Sequence, residues 1–168
     1  MVTKHGGDLQ EGTMYAQGLS ALVLCEAYAM SGDENLGEYA QAAIDFIVYA
    51  QHKEGGWRYL PGQPGDTTSL GWQLMALKSG HMGYLRVPAK SVAGANKFLD
   101  SVESDSGARY GYNKPGGGQA TTSVGLLSRM YLGWKHDHPA LARGVEFLDR
   151  TGPSESGNIY YNYYATQV

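Results

Sequence analysis

The sequence predicts an all-α fold, a single-domain arc of helical hairpins, on three observations. Gly-rich segments separate stretches of three-and-four apolar periodicity, and no strand-like alternation of useful length occurs. Phe46, Phe98 and Phe147 stand 52 and 49 residues apart, each near the end of a helical pattern. After each comes Gly-x-x-Tyr, at 56–59, 107–110 and 157–160. A period near 50 residues in a helical chain means repeated hairpins, which together bury faces that one hairpin alone leaves in water.

The first helix is expected over about 13–30. Leu19, Leu22, Val23, Ala27 and Met30 share one face and Leu24 and Cys25 add a second, the pattern of a helix buried on both sides. Ser31-Gly32-Asp33 ends it, and Asp33 can accept hydrogen bonds from the free amides of the next helix. That second helix, about 34–51, sets Leu36, Tyr39, Ala40, Ala43, Ile44 and Ile47 against Glu38, Gln41 and Asp45, so it is one-sided and outer. The third, about 67–79, is apolar on most faces through Leu70, Trp72, Leu74, Met75 and Leu77, and reads as inner. The fourth, about 88–102, opens on Pro88, where a missing amide costs nothing, and is expected to bury Val92, Ala95, Phe98, Leu99 and Val102. Helices at about 121–132 and 139–150 repeat the inner and outer pair, and a seventh starts near Tyr160. Inner helices open with Thr13, Thr68 or Thr122, followed three residues on by Ala16, Gly71 or Gly125, small residues that mark close helix contact.

A chain of 168 residues with 42% hydrophobic and 17% charged residues fits one soluble globular domain, here 13–168 after a polar tail at 1–12. Thirteen basic against sixteen acidic residues, with no basic tract, argue against a nucleic-acid partner. No apolar run reaches the roughly 18 residues of a transmembrane segment, and the first eleven residues lack the apolar stretch of a signal peptide. Cys25 stands alone, so neither an internal disulfide nor a Cys-rich metal site can form.

Ala43, Phe46, Ile47, Gln51, Gly55 and Trp57 resemble the QW motif of squalene and oxidosqualene cyclases, which in shorter form also appears in protein prenyltransferase β subunits. Ala42 departs from the basic residue that opens the motif. A second copy keeps Ala95, Phe98, Leu99 and Gly107 but has Glu103 and Ala108 for Gln and Trp; a third keeps Arg143, Gly144, Phe147 and Leu148 but has Gly152 and Asn158. The wider resemblance is to bacterial proteins with terpenoid cyclase or prenyltransferase repeats. It implies an (α/α) toroid, here a partial one of about three hairpins and the start of a fourth, with inner helices around a funnel. It also implies that the QW side chains tie an outer helix to the neighbouring repeat, Gln51 through backbone bonds and Trp57 by stacking.

Asp66-Thr67-Thr68-Ser69 resembles the acid motif of those cyclases, which nominates Asp66 as a general acid starting cyclisation. That chemistry needs a protonated, desolvated carboxyl ringed by aromatics, and Trp57, Tyr59 and Trp72 lie near in sequence. The acid that precedes it in the bacterial motif falls at Pro64, however, and an Asp-Thr pair opening a helix is the pattern of an N-cap. The zinc ligands of prenyltransferases have no counterpart, since Cys25 lies within an apolar helix. His136-x-His138 precedes Pro139 in a turn, where two histidines are more often solvated than metal-bound. Gly116-Gly117-Gly118 leads to Gln119 rather than Lys, and the thioester motif of complement-type toroids is absent. No cofactor is implied.

Tyr contributes 13 residues, many in the loops from outer to inner helix, including Tyr59, Tyr110, Tyr112, Tyr160, Tyr161, Tyr163 and Tyr164. They either form a rim able to stack on a sugar or peptide or pack each ring under the next repeat. The leading expectation is a non-catalytic binding or scaffolding module with an isoprenoid, carbohydrate or protein ligand. The alternatives are a terpenoid cyclase-like enzyme using Asp66 and a polysaccharide lyase-like toroid. An arc this short leaves Leu19, Leu22 and Val23 uncovered at one end, so it is expected to belong to a longer chain or to pair as a homodimer.

Overall fold

The structure, a computed structural model, describes residues 6–9, 12–155 and 157–168. Among them are seven helices: α1 (Met14–Ser31), α2 (Glu34–Ala50), α3 (Thr67–Met82), α4 (Ala89–Val102), α5 (Gln119–Tyr131), α6 (Pro139–Thr151) and α7 (Ile159–Ala165). One antiparallel pair of two-residue strands, β1 (Glu103–Ser104) and β2 (Arg109–Tyr110), closes the loop after α4. The fold is all-α, as the periodicity predicts. No helix among the described residues is long and apolar enough to cross a membrane.

The odd-numbered helices form a row in which α1 packs on α3, α3 on α5 and α5 on α7, while α2, α4 and α6 lie against the members of that row. Helix ends follow the local chemistry. Gly32 stops α1 at φ 68, and Asp33 Oδ1 accepts the Asn35 amide at 2.9 Å to start α2. Small residues set the approach of neighbours in the row: a Cβ on Gly71 would meet Val124 of α5 at 2.6 Å.

Two expectations need correcting. α1 is not buried on both sides: its buried face is Met14, Gln17, Gly18, Ala21 and Cys25, while Leu19 and Val23 are 41% and 64% exposed and Met30 lies open. It stands at the end of the row, with α2 and α3 on one side and no described helix on the other. It approaches α3 closely at Gly18, where a Cβ would meet Trp72 and Gln73. Val92 of α4 is half-buried and lines a groove instead of the core.

The expected tail at 1–12 lies outside the described residues at 1–5, 10 and 11, and 6–9 pack against α1 and α2. Gly7 is buried at φ 89, where a Cβ would strike the Ala42 carbonyl at 1.8 Å, and the Gln17 carboxamide donates to its carbonyl at 3.0 Å. Gly55, at φ 98, presses in the same way on the Gly94 carbonyl, at 1.9 Å. In both places the chain turns through the left-handed region and touches an outer helix, which leaves room for glycine alone.

Candidate functional site

The loop from α2 to α3 carries Trp57 and Asp66, and Gln51 stands at its start. The last carbonyls of α2 lack helical partners, and one of them, Ile47, accepts the indole N–H of Trp57 at 2.7 Å. The Gln51 carboxamide donates to the Gly55 carbonyl at 2.8 Å and across to Ser91 of α4 at 2.9 Å. Gln51 thus ties α2 to the next outer helix through backbone bonds, as expected. Trp57 is fully buried and holds its place through that indole bond rather than by ring stacking.

Asp66 is also fully buried, and both of its oxygens are occupied by the first turn of α3. Oδ1 accepts the Ser69 amide at 2.8 Å and the Thr68 hydroxyl at 2.6 Å, and Oδ2 accepts the Ser69 hydroxyl at 2.9 Å. Arg58 approaches Oδ2 at 3.9 Å. This is an N-cap reinforced by two hydroxyls and a cation. A general acid needs one oxygen free to carry a proton to substrate, and neither oxygen here is free.

Around that cap the structure gathers phenols. Tyr15, in the first turn of α1, donates to the Thr68 hydroxyl at 2.5 Å, and its ring stacks on Tyr59 with centroids 6.0 Å apart. Tyr59 and Tyr112 pair their hydroxyls at 2.9 Å, and the Arg58 guanidinium lies over both rings at 5.7 and 5.8 Å. Tyr160 reaches the Thr68 carbonyl at 3.4 Å from α7. Burial raises the pKa of Tyr15, Tyr112 and Tyr160, in each case as the largest cause, so these phenols keep their protons well above neutral pH.

Beside this group, Trp72 packs with Tyr160, Tyr163 and Tyr164, at centroid distances of 6.4, 5.5 and 5.3 Å. Its indole N–H is buried with no acceptor among the described residues. The predicted site residues therefore divide three ways. Asp66, Tyr59 and Tyr112 meet at one place, and Trp72 with Tyr160 forms an adjoining aromatic patch. Trp57, Tyr110 and Tyr161 are buried apart from that face.

Tyr15, Arg58 and Arg129 take part in these contacts although no sequence motif singles them out. Tyr15 stands two residues after the capping Thr13, so the helix start itself is a usable signal, and Arg58 sits between two aromatics, Trp57 and Tyr59. Arg129 is a charge inside the apolar run of α5, and it is 3% exposed. Its guanidinium bonds the Tyr110 hydroxyl at 3.0 Å, Asn96 Oδ1 at 2.5 Å, Asp100 at 2.6 Å and Glu103 at 3.0 Å. It also lies over the Trp134 ring at 5.2 Å.

No three His, Cys, Asp or Glu side chains gather as a metal site among the described residues. His138 caps α6, accepting the Ala140 amide at 3.3 Å, and stacks on Trp134 at 3.7 Å. Burial pushes the Cys25 thiol up to about 12. Compared with known proteins, the chain matches no family model, no curated protein and no solved structure.

Proposed function

We propose that the chain is a non-catalytic binding module, an arc of QW-type helical hairpins whose odd-numbered helices line the inner wall of a partial (α/α) toroid. Its ligand is a carbohydrate, held on the face formed by Tyr15, Tyr59, Tyr112 and Arg58. The observation that carries this reading is the state of Asp66. The one carboxyl that the cyclase resemblance nominates is used up as a helix cap, while the groups around it are the exposed Tyr59 phenol, the half-buried phenols of Tyr15 and Tyr112 and the half-buried Arg58 guanidinium. Protonated phenols offer flat faces and neutral donors, which suit a polyhydroxylated ligand. Cyclisation of an isoprenoid would instead require a proton delivered from Asp66 into an aromatic cavity.

The test is calorimetric titration with a panel of neutral oligosaccharides beside isoprenoid diphosphates. An oligosaccharide should bind the wild type, and Tyr59→Ala and Tyr112→Ala should each weaken it about tenfold, the worth of one aromatic contact. Asp66→Asn, which keeps the cap, should leave binding unchanged. Turnover of an isoprenoid that disappears in Asp66→Asn would refute the reading, as would full oligosaccharide affinity in the Tyr59→Ala/Tyr112→Ala double variant.

A further inference from the structure

A second site lies at the opposite end of α3 and rests on observations independent of the phenol face. A groove of about 560 Å³ runs between the C-terminal half of α3, the N-terminal half of α4 and the end of α5. That volume is within the roughly 300–1,000 Å³ typical of small-ligand sites.

The groove has a cause in the repeat. Phe46 and Phe98 set α4 in register with α2 at an offset of 52, so Asn96 occupies the place of Ile44. Ile44 is fully buried and packs on Gly80 of α3, where a Cβ would meet it at 3.0 Å. Asn96 cannot fill the equivalent space, because its Oδ1 is turned to Arg129 at 2.5 Å. α4 accordingly makes little contact with α5, whereas α2 packs on α3. Ala89, Val92, Ala93 and Asn96, at helical spacings of three and four, face the opening beside the buried stripe of Ala95, Leu99 and Val102.

The walls are apolar and the polar edge carries one sign of charge. Leu74, Leu77, Val87, Val92 and Leu132 supply hydrocarbon, Lys78 and His81 are the ionisable edge groups from α3, and no Asp or Glu among the described residues lines the groove. Lys78 is half-buried and has no carboxylate ion-pair partner among the described residues. A half-buried ammonium at the edge of a hydrocarbon slot, with no counter-ion, complements an anionic head on an apolar tail. We propose that this groove binds a single-chain fatty carboxylate, its tail along Val87, Val92 and Leu132 over a floor of Leu74 and Leu77, and its carboxylate at Lys78 and His81.

The probe is dodecanoate, titrated calorimetrically into the 168-residue chain below the concentration at which it forms micelles, beside dodecanol and acetate. The expected result is one dodecanoate bound per chain, dodecanol about three- to fivefold weaker for want of the charge contact, and acetate not bound. Lys78→Gln should reduce dodecanoate to the level of dodecanol, whereas Lys97→Gln, on the exposed side of α4, should change nothing. Ala93→Phe projects a ring into the groove from an exposed helical position. It should melt as the wild type does and bind dodecanoate at least tenfold more weakly. Equal affinity for dodecanoate and dodecanol, a preference for dodecanoate that survives Lys78→Gln, undiminished binding in Ala93→Phe, or no binding below the micellar concentration would each overturn the proposal.

Discussion

The joint after α2 and the joint after α4 occupy equivalent places in the repeat and hold their helices by different chemistry. In the first, Gln51 and Trp57 meet backbone carbonyls with neutral amide and indole donors, and the ring fills the space beneath α2. In the second, Glu103 and Ala108 stand in those places, and Arg129 reaches in from α5 to bond Glu103, Asp100, Asn96 and Tyr110. The smaller Ala108 leaves room for Tyr110 to turn inward to complete burial, while its repeat equivalent Tyr59 stays 44% exposed and joins the phenol face. A repeat position therefore does not assign a side chain its environment. The residue two places earlier in the loop decides whether the Tyr is core or surface.

Trp57→Ala should produce the largest effect, since it removes a fully buried ring and orphans the Ile47 carbonyl. A loss of about 3–5 kcal/mol is expected, read from the urea midpoint. An unchanged midpoint would mean that the neutral joint does not hold α2 at all. Arg129→Met tests the ionic joint and should cost about 2–3 kcal/mol. That is less than for a wholly buried pair, because Asp100 is 58% exposed and regains water when its partner is lost. High salt should weaken the wild type toward Arg129→Met and leave the Trp57→Ala difference unaltered.

Alkaline pH separates the joints further. Burial raises Tyr110 above the ordinary phenol value of 10.0, against the pull of Arg129. The folded chain then keeps this proton where the unfolded chain has lost it. The stability this group contributes is fully present below pH 10 and is lost as the pH climbs from there toward the raised value. The difference between wild type and Tyr110→Phe should therefore shrink above pH 10, while the Trp57→Ala difference, which involves no titrating group, stays constant across the same range. The smallest effect concerns the cap between the joints: Asp66→Ala should cost about 1 kcal/mol and Asp66→Asn much less, since either side chain can accept the Ser69 amide. Equal losses in the two variants would show that the ion pair with Arg58, and not the cap, is what Asp66 supplies.

The sequence by itself determined the helices, the 50-residue hairpin period and the capping roles of Asp33 and Asp66, because each of these depends on residues close together in the chain. Helical periodicity and a carboxylate three residues before a free amide are local properties, and they survive whatever packs around them. Tertiary structure alone decided which apolar faces are covered. α1 and α3 carry similar apolar patterns, yet only α3 has helices on both sides, so Leu19 and Val23 face outward while Leu70 and Leu77 are core. It also decided that Tyr15, Tyr59 and Tyr112 converge on one face while Tyr110 and Tyr161 do not, and that Arg129 is buried at all. These outcomes depend on contacts between residues far apart in the chain, where the volume of one side chain, such as Ala108 for Trp57 or Asn96 for Ile44, redirects its neighbours.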